Sequence, residues 1–266
     1  VNERSDSAVF VFHDDPEMQN AAEQARSTIR YFWRETAWEM RRIVPALSVA
    51  ALKVSFSDPL PDRSGQGKSN PEHMWVSDVQ FDGQFITGTL INSPNWLTSI
   101  KEGDTVRVPP ARVCDWLYAL DDRAYGGFTV NLLRSRMSDE ERAGHDSCWG
   151  LEFGDPAHVE LFPTEWFTVG STAGHTEPVD HPMAVPMSEQ LVEYLEANPS
   201  QVNQQDDAGW TLLHSQILAG SPACVSLLLD HGADRNLPMP NGMTPLDLAT
   251  ELGWSELCHL LTNYAI

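Results

Sequence analysis

Cations are scarce in this sequence. Lys and Arg number 17 against 38 Asp and Glu, a formal net charge of −21 over 266 residues. A nucleic-acid binder needs a cationic face to displace counterions from phosphate, and a protein held on an anionic membrane needs a basic one. The balance excludes both roles. The deficit runs the length of the chain: residues 179–266 hold 11 acids and one cation, Arg235. Such a surface attracts a basic protein partner, with fast encounter at low salt. No apolar run nears the roughly 18 residues of a membrane span. The opening stretch Val1–Ser7 is polar and lacks the apolar core of a secretion signal. Cysteine is sparse too. Cys114, Cys148, Cys224 and Cys258 lie far apart without a Cys-x-x-Cys pair, so there is neither zinc spacing nor a disulfide framework. Free thiols in a reducing compartment, and a cytoplasmic location, are the expectation.

Common catalytic signatures are also missing. The sequence holds no Gly-x-Ser-x-Gly, P-loop, His-Glu-x-x-His or Gly-x-Gly-x-x-Gly motif. His13-Asp14-Asp15 carries metal-ligating side chains, but Asp15 before Pro16 is explained more simply as a helix cap. His145, Asp146 and Cys148 are neighbours in sequence, whereas a Cys–His nucleophile is defined by geometry in the fold. Ser138-Asp139-Glu140-Glu141-Arg142 reads as a capped, solvated helix start. No catalytic residue, metal ligand or cofactor is expected from these segments.

What is present falls into segments. Residues 1–14 read as an extended arm around Val9-Phe10-Val11-Phe12. Residues 15–43 read as one helix, with Ala21, Ala22, Ala25, Ile29, Phe32 and Trp33 at helical spacing. Residues 47–170 read as mostly β. Leu52, Val54 and Phe56 alternate, Asp82-Gly83 makes a hairpin turn between strands, and further strands fall at 105–108, 111–120 and 128–134. The insert 57–72 is a polar loop. Trp116 and Tyr118 alternate on one strand face that Trp75 is expected to join, and core packing accounts for them best. Residues 171–186, rich in proline, read as a linker.

The last segment repeats. Gly209-Trp210-Thr211-Leu212-Leu213-His214 recurs as Gly242-Met243-Thr244-Pro245-Leu246-Asp247, 33 residues later. Gly220 pairs with Gly253 in the same register, and one period back Val225, Leu228 and Asn236 match Val192, Leu195 and Asn203. Residues 187–266 thus resemble ankyrin repeats, with a degenerate repeat, a full one and a last one, about two and a half. His214 holds a pattern position that supports the turn. A stack this short is marginal alone, so it is expected to dock on the N-terminal domain, which acts as its cap.

The larger segment carries a second resemblance. Asp15-Pro16-Glu17-Met18, Trp75-Val76-Ser77, Gly88-Thr89-Leu90-Ile91-Asn92-Ser93-Pro94, Asp115-Trp116-Leu117-Tyr118, Gly127-Phe128-Thr129 and Trp149–Pro156 are similar to the bacterial DUF2314 (YegJ-like) family over most of 13–157. The resemblance implies a small α+β domain and supplies no catalytic residues. The expected fold is therefore α+β over 1–170, an N-terminal helix packed on a bent, barrel-like antiparallel sheet. A linker at 171–186 and an all-α ankyrin domain at 187–266 follow.

The expected function is non-catalytic protein binding, in sharper form an immunity-type inhibitor of a bacterial toxin or effector. Ankyrin stacks present their turn tips and first helices on a concave face. Here the tips offer Asp206, Asp207 and Trp210, then Leu237, Met239 and Asn241, as an exposed contact patch for a basic protein partner. The alternative is an enzyme or small-ligand sensor in the DUF2314-like domain, with the repeats recruiting a partner.

Overall fold

The computed structural model describes residues 15–58, 71–163 and 180–264. The expectations for the arm at 1–14, for His13 and Asp14, and for most of the 57–72 insert and the linker lie outside those residues.

Helix α1 spans Pro16–Thr28, and Asp15 caps it as expected: its Oδ1 accepts from Glu17 N at 3.0 Å and Met18 N at 3.3 Å. The single helix expected to reach residue 43 is broken at Ile29, and α2 covers Arg30–Glu39. The cause is tertiary. The indole Nε1 of Trp116 donates to Ala25 O at 2.9 Å, the carbonyl that Ile29 N–H would take in an unbroken helix. Ile29 N turns to Arg26 O instead, at 3.5 Å, and an inserted donor of this kind is a recognised cause of a helix break.

Six antiparallel strands follow: β1 Leu47–Phe56, β2 Glu72–Phe81, β3 Ile86–Leu90, β4 Thr105–Val108, β5 Val113–Leu120 and β6 Arg123–Gly126. Their order is β4-β3-β2-β1-β5-β6. The sheet is open, with β4 and β6 at its edges, and does not close into a barrel. The alternation in β1 is real: Leu52, Val54 and Phe56 are buried under α1 and α2, alongside Phe32, Trp116 and Tyr118. Trp75 does not join Trp116 and Tyr118. It lies on the opposite face of the sheet with Leu117, Val130 and Phe153, and its ring meets Trp149 edge-on at 5.9 Å. Alternate residues of a strand face opposite sides. In the register that pairs Leu52 with both Val76 and Trp116, Trp75 pairs with Lys53 and so points away from them.

Residues 128–134 are not a strand. Phe128–Ser135 forms helix α3, and Asp139–Trp149 forms α4, which starts on a Ser138–Glu141 capping box as the sequence predicts. Helix α3 begins where it does because Asp115, near the start of β5, accepts its first N–H groups.

The C-terminal part is helical: α5 Ala184–Ala197, α6 Leu212–Leu218, α7 Pro222–Asp230, α8 Pro245–Leu252 and α9 Ser255–Asn263. The expected linker thus ends earlier than residue 186. Pro186 falls in the first turn of α5, where its missing N–H costs nothing. The pairs α6–α7 and α8–α9 are the two later repeats, and α5 supplies the second helix of the degenerate first one. No helix among the described residues is long and apolar enough to cross a membrane.

His214 has the supporting role its motif predicts. Its Nδ1 accepts from Thr211 N at 3.2 Å and lies 2.8 Å from Thr211 Oγ1, which places its proton on Nε2. Burial holds its pKa down at about 4, against an ordinary 6.5, with Asp206 opposing. The unfolded chain therefore binds the extra proton first. Stability from this group is complete above about pH 6.5 and is lost as pH falls to 4, a difference of about 3 kcal/mol. An NMR titration of the ring is expected to show no protonation at pH 5.5, and an ordinary midpoint near the free value would refute this.

Candidate partner-binding cleft

The ankyrin stack is docked on the N-terminal domain, and helix α2 makes the joint. Trp38 Nε1 donates to Ala219 O at 3.0 Å at the end of α6, and Arg41 Nη2 donates to Ser215 O at 3.2 Å. Tyr31 meets Trp254 edge-on at 6.0 Å, before α9. The β2–β3 turn reaches the following repeat. Gly83 adopts φ +87°, which favours glycine, and it lies so close to that repeat that an added methyl group would meet Met239 Cε at 2.6 Å and Asn241 Nδ2 at 3.1 Å. The domain thus touches two successive repeats and covers apolar surface that a bare stack would expose.

That docking corrects part of the expected contact patch. Met239 is only 2% exposed; it packs against Gly83 and is not a free surface. Asn241 is exposed as expected, with its side chain beside the same turn, and Leu237 is half-buried. Trp210 is half-buried in the wall of an interdomain cleft. Asp206 and Asp207 are exposed. Asp206 also has local work, since its Oδ1 accepts from Ala208 N at 2.9 Å and Trp210 N at 2.8 Å. The physical reason is the marginal stack itself: the tips had apolar side chains to bury, and the chain's own domain buries them.

The cleft has a volume of about 430 Å³ and runs between α2 and the 206–218 segment, with Trp33, Met40, Phe81, Trp210 and Leu218 in its walls. It continues into a second groove of about 640 Å³ along β1 and β2. Thr36, Met40, Val79 and Gln80 line both. Met40, which lines both, is 81% exposed, and three and four residues further along the chain Ile43 and Val44 are 100% and 76% exposed. These residues were missed as site candidates because 15–43 read as one helix. The available signal was Ile43-Val44 directly before Pro45, an apolar pair with no helical partner. A cluster like this beside acids has the character of a contact surface.

Beneath the joint lies a buried cluster of titratable side chains. Glu35 Oε1 is 2.9 Å from His181 Nε2, both side chains being almost wholly enclosed, and the His181 ring stacks on Trp38 at 4.9 Å. Asp180 Oδ2 accepts from Ser221 Oγ at 3.1 Å and from Ala223 N at 3.0 Å, capping α7. Burial raises the Asp180 carboxyl to about 6, and burial lowers His181. These groups tie the end of the linker to both domains.

The polar residues that carry the family resemblance are used inside the fold. Asp115 Oδ1 accepts from Trp116 N and Phe128 N, both at 2.9 Å. Its Oδ2 accepts from Thr129 N at 2.7 Å and Thr129 Oγ1 at 2.6 Å. Lys53 Nζ donates to Thr129 Oγ1 at 3.3 Å. Arg134 holds Asp146 through two bonds of 2.8 and 2.7 Å and donates to Gly154 O at 3.1 Å. His145 Nδ1 bonds Asp146 Oδ1 at 2.9 Å, while Cys148 is exposed. Each motif thus pins one element to another. Among the described residues, no three His, Cys, Asp or Glu side chains converge as a metal site requires.

Comparison with known proteins matches this layout. A family described as an uncharacterized protein conserved in bacteria (DUF2314) matches residues 15–153, and ankyrin repeats (three copies) match 183–266. An ankyrin repeat protein of Neisseria meningitidis serogroup B is 37% identical over 258 residues, covering 96% of this chain and 97% of that protein. The protein YegJ of Escherichia coli is 30% identical over 70 residues, 26% of this chain and 46% of its own length. The ankyrin repeat protein YahD of Escherichia coli is 40% identical over 77 residues, 27% of this chain and 37% of its own. YegJ supports the N-terminal assignment and YahD the repeats, while the Neisseria protein shares both in one chain. The chain therefore belongs to the DUF2314 family and joins that domain to a C-terminal ankyrin stack.

Proposed function

We propose that this chain is a non-catalytic protein-binding protein of the inhibitory, immunity type, which covers a basic surface of a cytoplasmic bacterial effector. The ankyrin repeats support a role in protein interaction. The observation that carries the rest is the exposed apolar run Met40, Ile43 and Val44, which starts at the cleft that Met40 lines, on a chain of net charge −21 whose exposed acids Asp78 and Asp206 line the same two grooves, with Asp207 exposed beside Asp206. Apolar side chains supply contact area, and the surrounding acid selects and steers a cationic partner. The four free cysteines, Cys114 and Cys224 buried, fit a reducing compartment.

The test is complex formation between the full chain and the protein encoded by its neighbouring gene, measured at two salt concentrations. A stoichiometric complex is expected whose affinity falls steeply with salt. Ile43→Asp is expected to weaken it by about 2 kcal/mol or more, as loss of an interface anchor does. Asp207→Lys, on an exposed side chain, is expected to weaken it less and to flatten the salt dependence. Absence of any complex, or one indifferent to both variants and to salt, refutes the reading.

A further inference from the structure

We propose that the fork between β1 and β2 is a strand-addition site, which takes an extended, lysine- or arginine-flanked segment of a partner protein against the open edge Leu47–Ala51. This rests on the binding role above and specifies where the contact segment lies and in what conformation.

The fork is a feature of the pairing. β1 and β2 are in register from Phe56↔Glu72 to Leu52↔Val76. Beyond that point Leu47–Ala51 pairs with β5 alone, and among the described residues no strand lies on its other side. β2 meanwhile stays with β3, through Gln80↔Thr87 and Phe81↔Ile86. A bulge between Ser77 and Gln80 carries it away. Asp78 sits there at φ +50°, a left-handed conformation that a non-glycine side chain rarely adopts. Gly88 opposite it has no room for a side chain: a methyl group would meet Val76 Cγ1 at 2.6 Å and Ser77 O at 2.7 Å. Bulges of this kind bend a strand and re-aim it. Here the result is the groove of about 640 Å³ with β1 on one wall and β2 on the other.

Past Leu47, whose N–H Glu39 Oε1 takes at 3.2 Å, the edge is undefended. Sheet edges are ordinarily protected by proline, by charge or by a covering element. Leu47-Ser48-Val49-Ala50-Ala51 has neither proline nor charge. Its five residues offer about 16 Å of edge, enough for a short segment to pair along it, as in other strand-addition complexes. Met40, Val79 and Ile91 supply apolar wall for its alternate side chains.

Charge selects the occupant. The charged side chains lining the groove are Glu39 and Asp78, both acidic. Glu39 is already engaged by Ala46 N, Leu47 N and Arg42, whereas Asp78 is exposed and among the described residues accepts only from the neighbouring Ser77 Oγ, at 3.1 Å. A second copy of this chain would bring another charge of −21 to the same edge, and that repulsion opposes self-pairing. A cationic segment is drawn in by the same field.

The probe is a peptide of alternating valine and lysine added to the full chain, with a copy N-methylated at alternate residues as its control. N-methylation removes backbone donors and leaves the side chains and charge intact. The expected result is binding with slowed hydrogen exchange at amides within 47–51, and a loss of affinity of at least about tenfold for the N-methylated copy, since two or more backbone bonds go. Asp78→Lys is expected to weaken binding without changing the melting temperature by more than a few degrees. Equal affinity for both peptides, or protection only elsewhere on the chain, overturns strand addition while leaving the acidic binding role intact. Protection at 47–51 that grows with protein concentration in the absence of peptide identifies a second copy as the occupant and also overturns it. No binding of either peptide, together with no salt-dependent complex with the neighbouring gene product, defeats both readings.

Discussion

Asp115→Asn is expected to destabilise the N-terminal domain by on the order of 4 kcal/mol, nearly as much as Asp115→Ala, although the substitution is isosteric. The reason is the donor count. Each carboxylate oxygen accepts two bonds: Oδ1 from Trp116 N and Phe128 N, Oδ2 from Thr129 N and Thr129 Oγ1. An asparagine presents an NH₂ group at one of those positions, so whichever way it flips, a donor faces a donor. The site is fully buried, so water cannot repair the mismatch. Lys53 adds to the cost, because burial already lowers its pKa and Asp115 opposes that shift. Remove the carboxylate and the Lys53 ammonium loses a favourable charge beside it. Urea unfolding of the variants provides the measurement. A loss below about 1 kcal/mol for Asp115→Asn would mean that the oxygen pair is not what starts α3.

Trp38→Ala is expected to cost about 3–5 kcal/mol, the range for deleting a buried aromatic side chain, and to change the form of unfolding as well as its midpoint. The ring fills the joint between Ala37, Ala184 and Ala219, stacks on His181, and satisfies the Ala219 carbonyl. Without it the Glu35–His181 pair loses its lid and Ala219 O its donor. Calorimetry of the parent chain is expected to show one transition, because two and a half repeats do not hold together alone. The variant is expected to show two, the stack melting first. Trp38→Phe separates the contributions: it keeps most of the packing and loses the indole bond, at a cost of about 1–2 kcal/mol. One unchanged transition in Trp38→Ala would show that the stack is held elsewhere, for instance through Met239 and Gly83.

Local pattern carried much of this fold in the sequence. The alternation of Leu52, Val54 and Phe56, the Asp82-Gly83 turn, the strand Thr105–Val108 and the 33-residue offset all appear where periodicity and turn chemistry place them. The failures share one cause, a partner distant in sequence. Phe128-Thr129-Val130-Asn131-Leu132-Leu133 has the apolar, β-branched look of a strand, but Asp115, 13 residues back, takes its first N–H groups and it is a helix. The helix expected to run from 15 to 43 is interrupted by Trp116, 91 residues from the carbonyl it takes. At the candidate site, the repeat pattern located the turn tips, but nothing within the repeat announces that Met239 is spoken for by Gly83. Nor does the local sequence reveal the fork at β1 and β2, since it exists only through the bulge opposite Gly88.

The two-point docking of the stack also bears on how such a gene can grow. Helix α2 is matched to α6 and the Gly83 turn to the Met239 turn, so the N-terminal domain holds two neighbouring repeats at a fixed spacing. Duplicating a 33-residue unit between those anchors would carry the second one a full repeat away from the Gly83 turn it now meets. Tandem duplication is tolerated in ordinary solenoids because each unit meets only its neighbours. Here an internal duplication is penalised at once, and extra units can be accommodated only beyond α9.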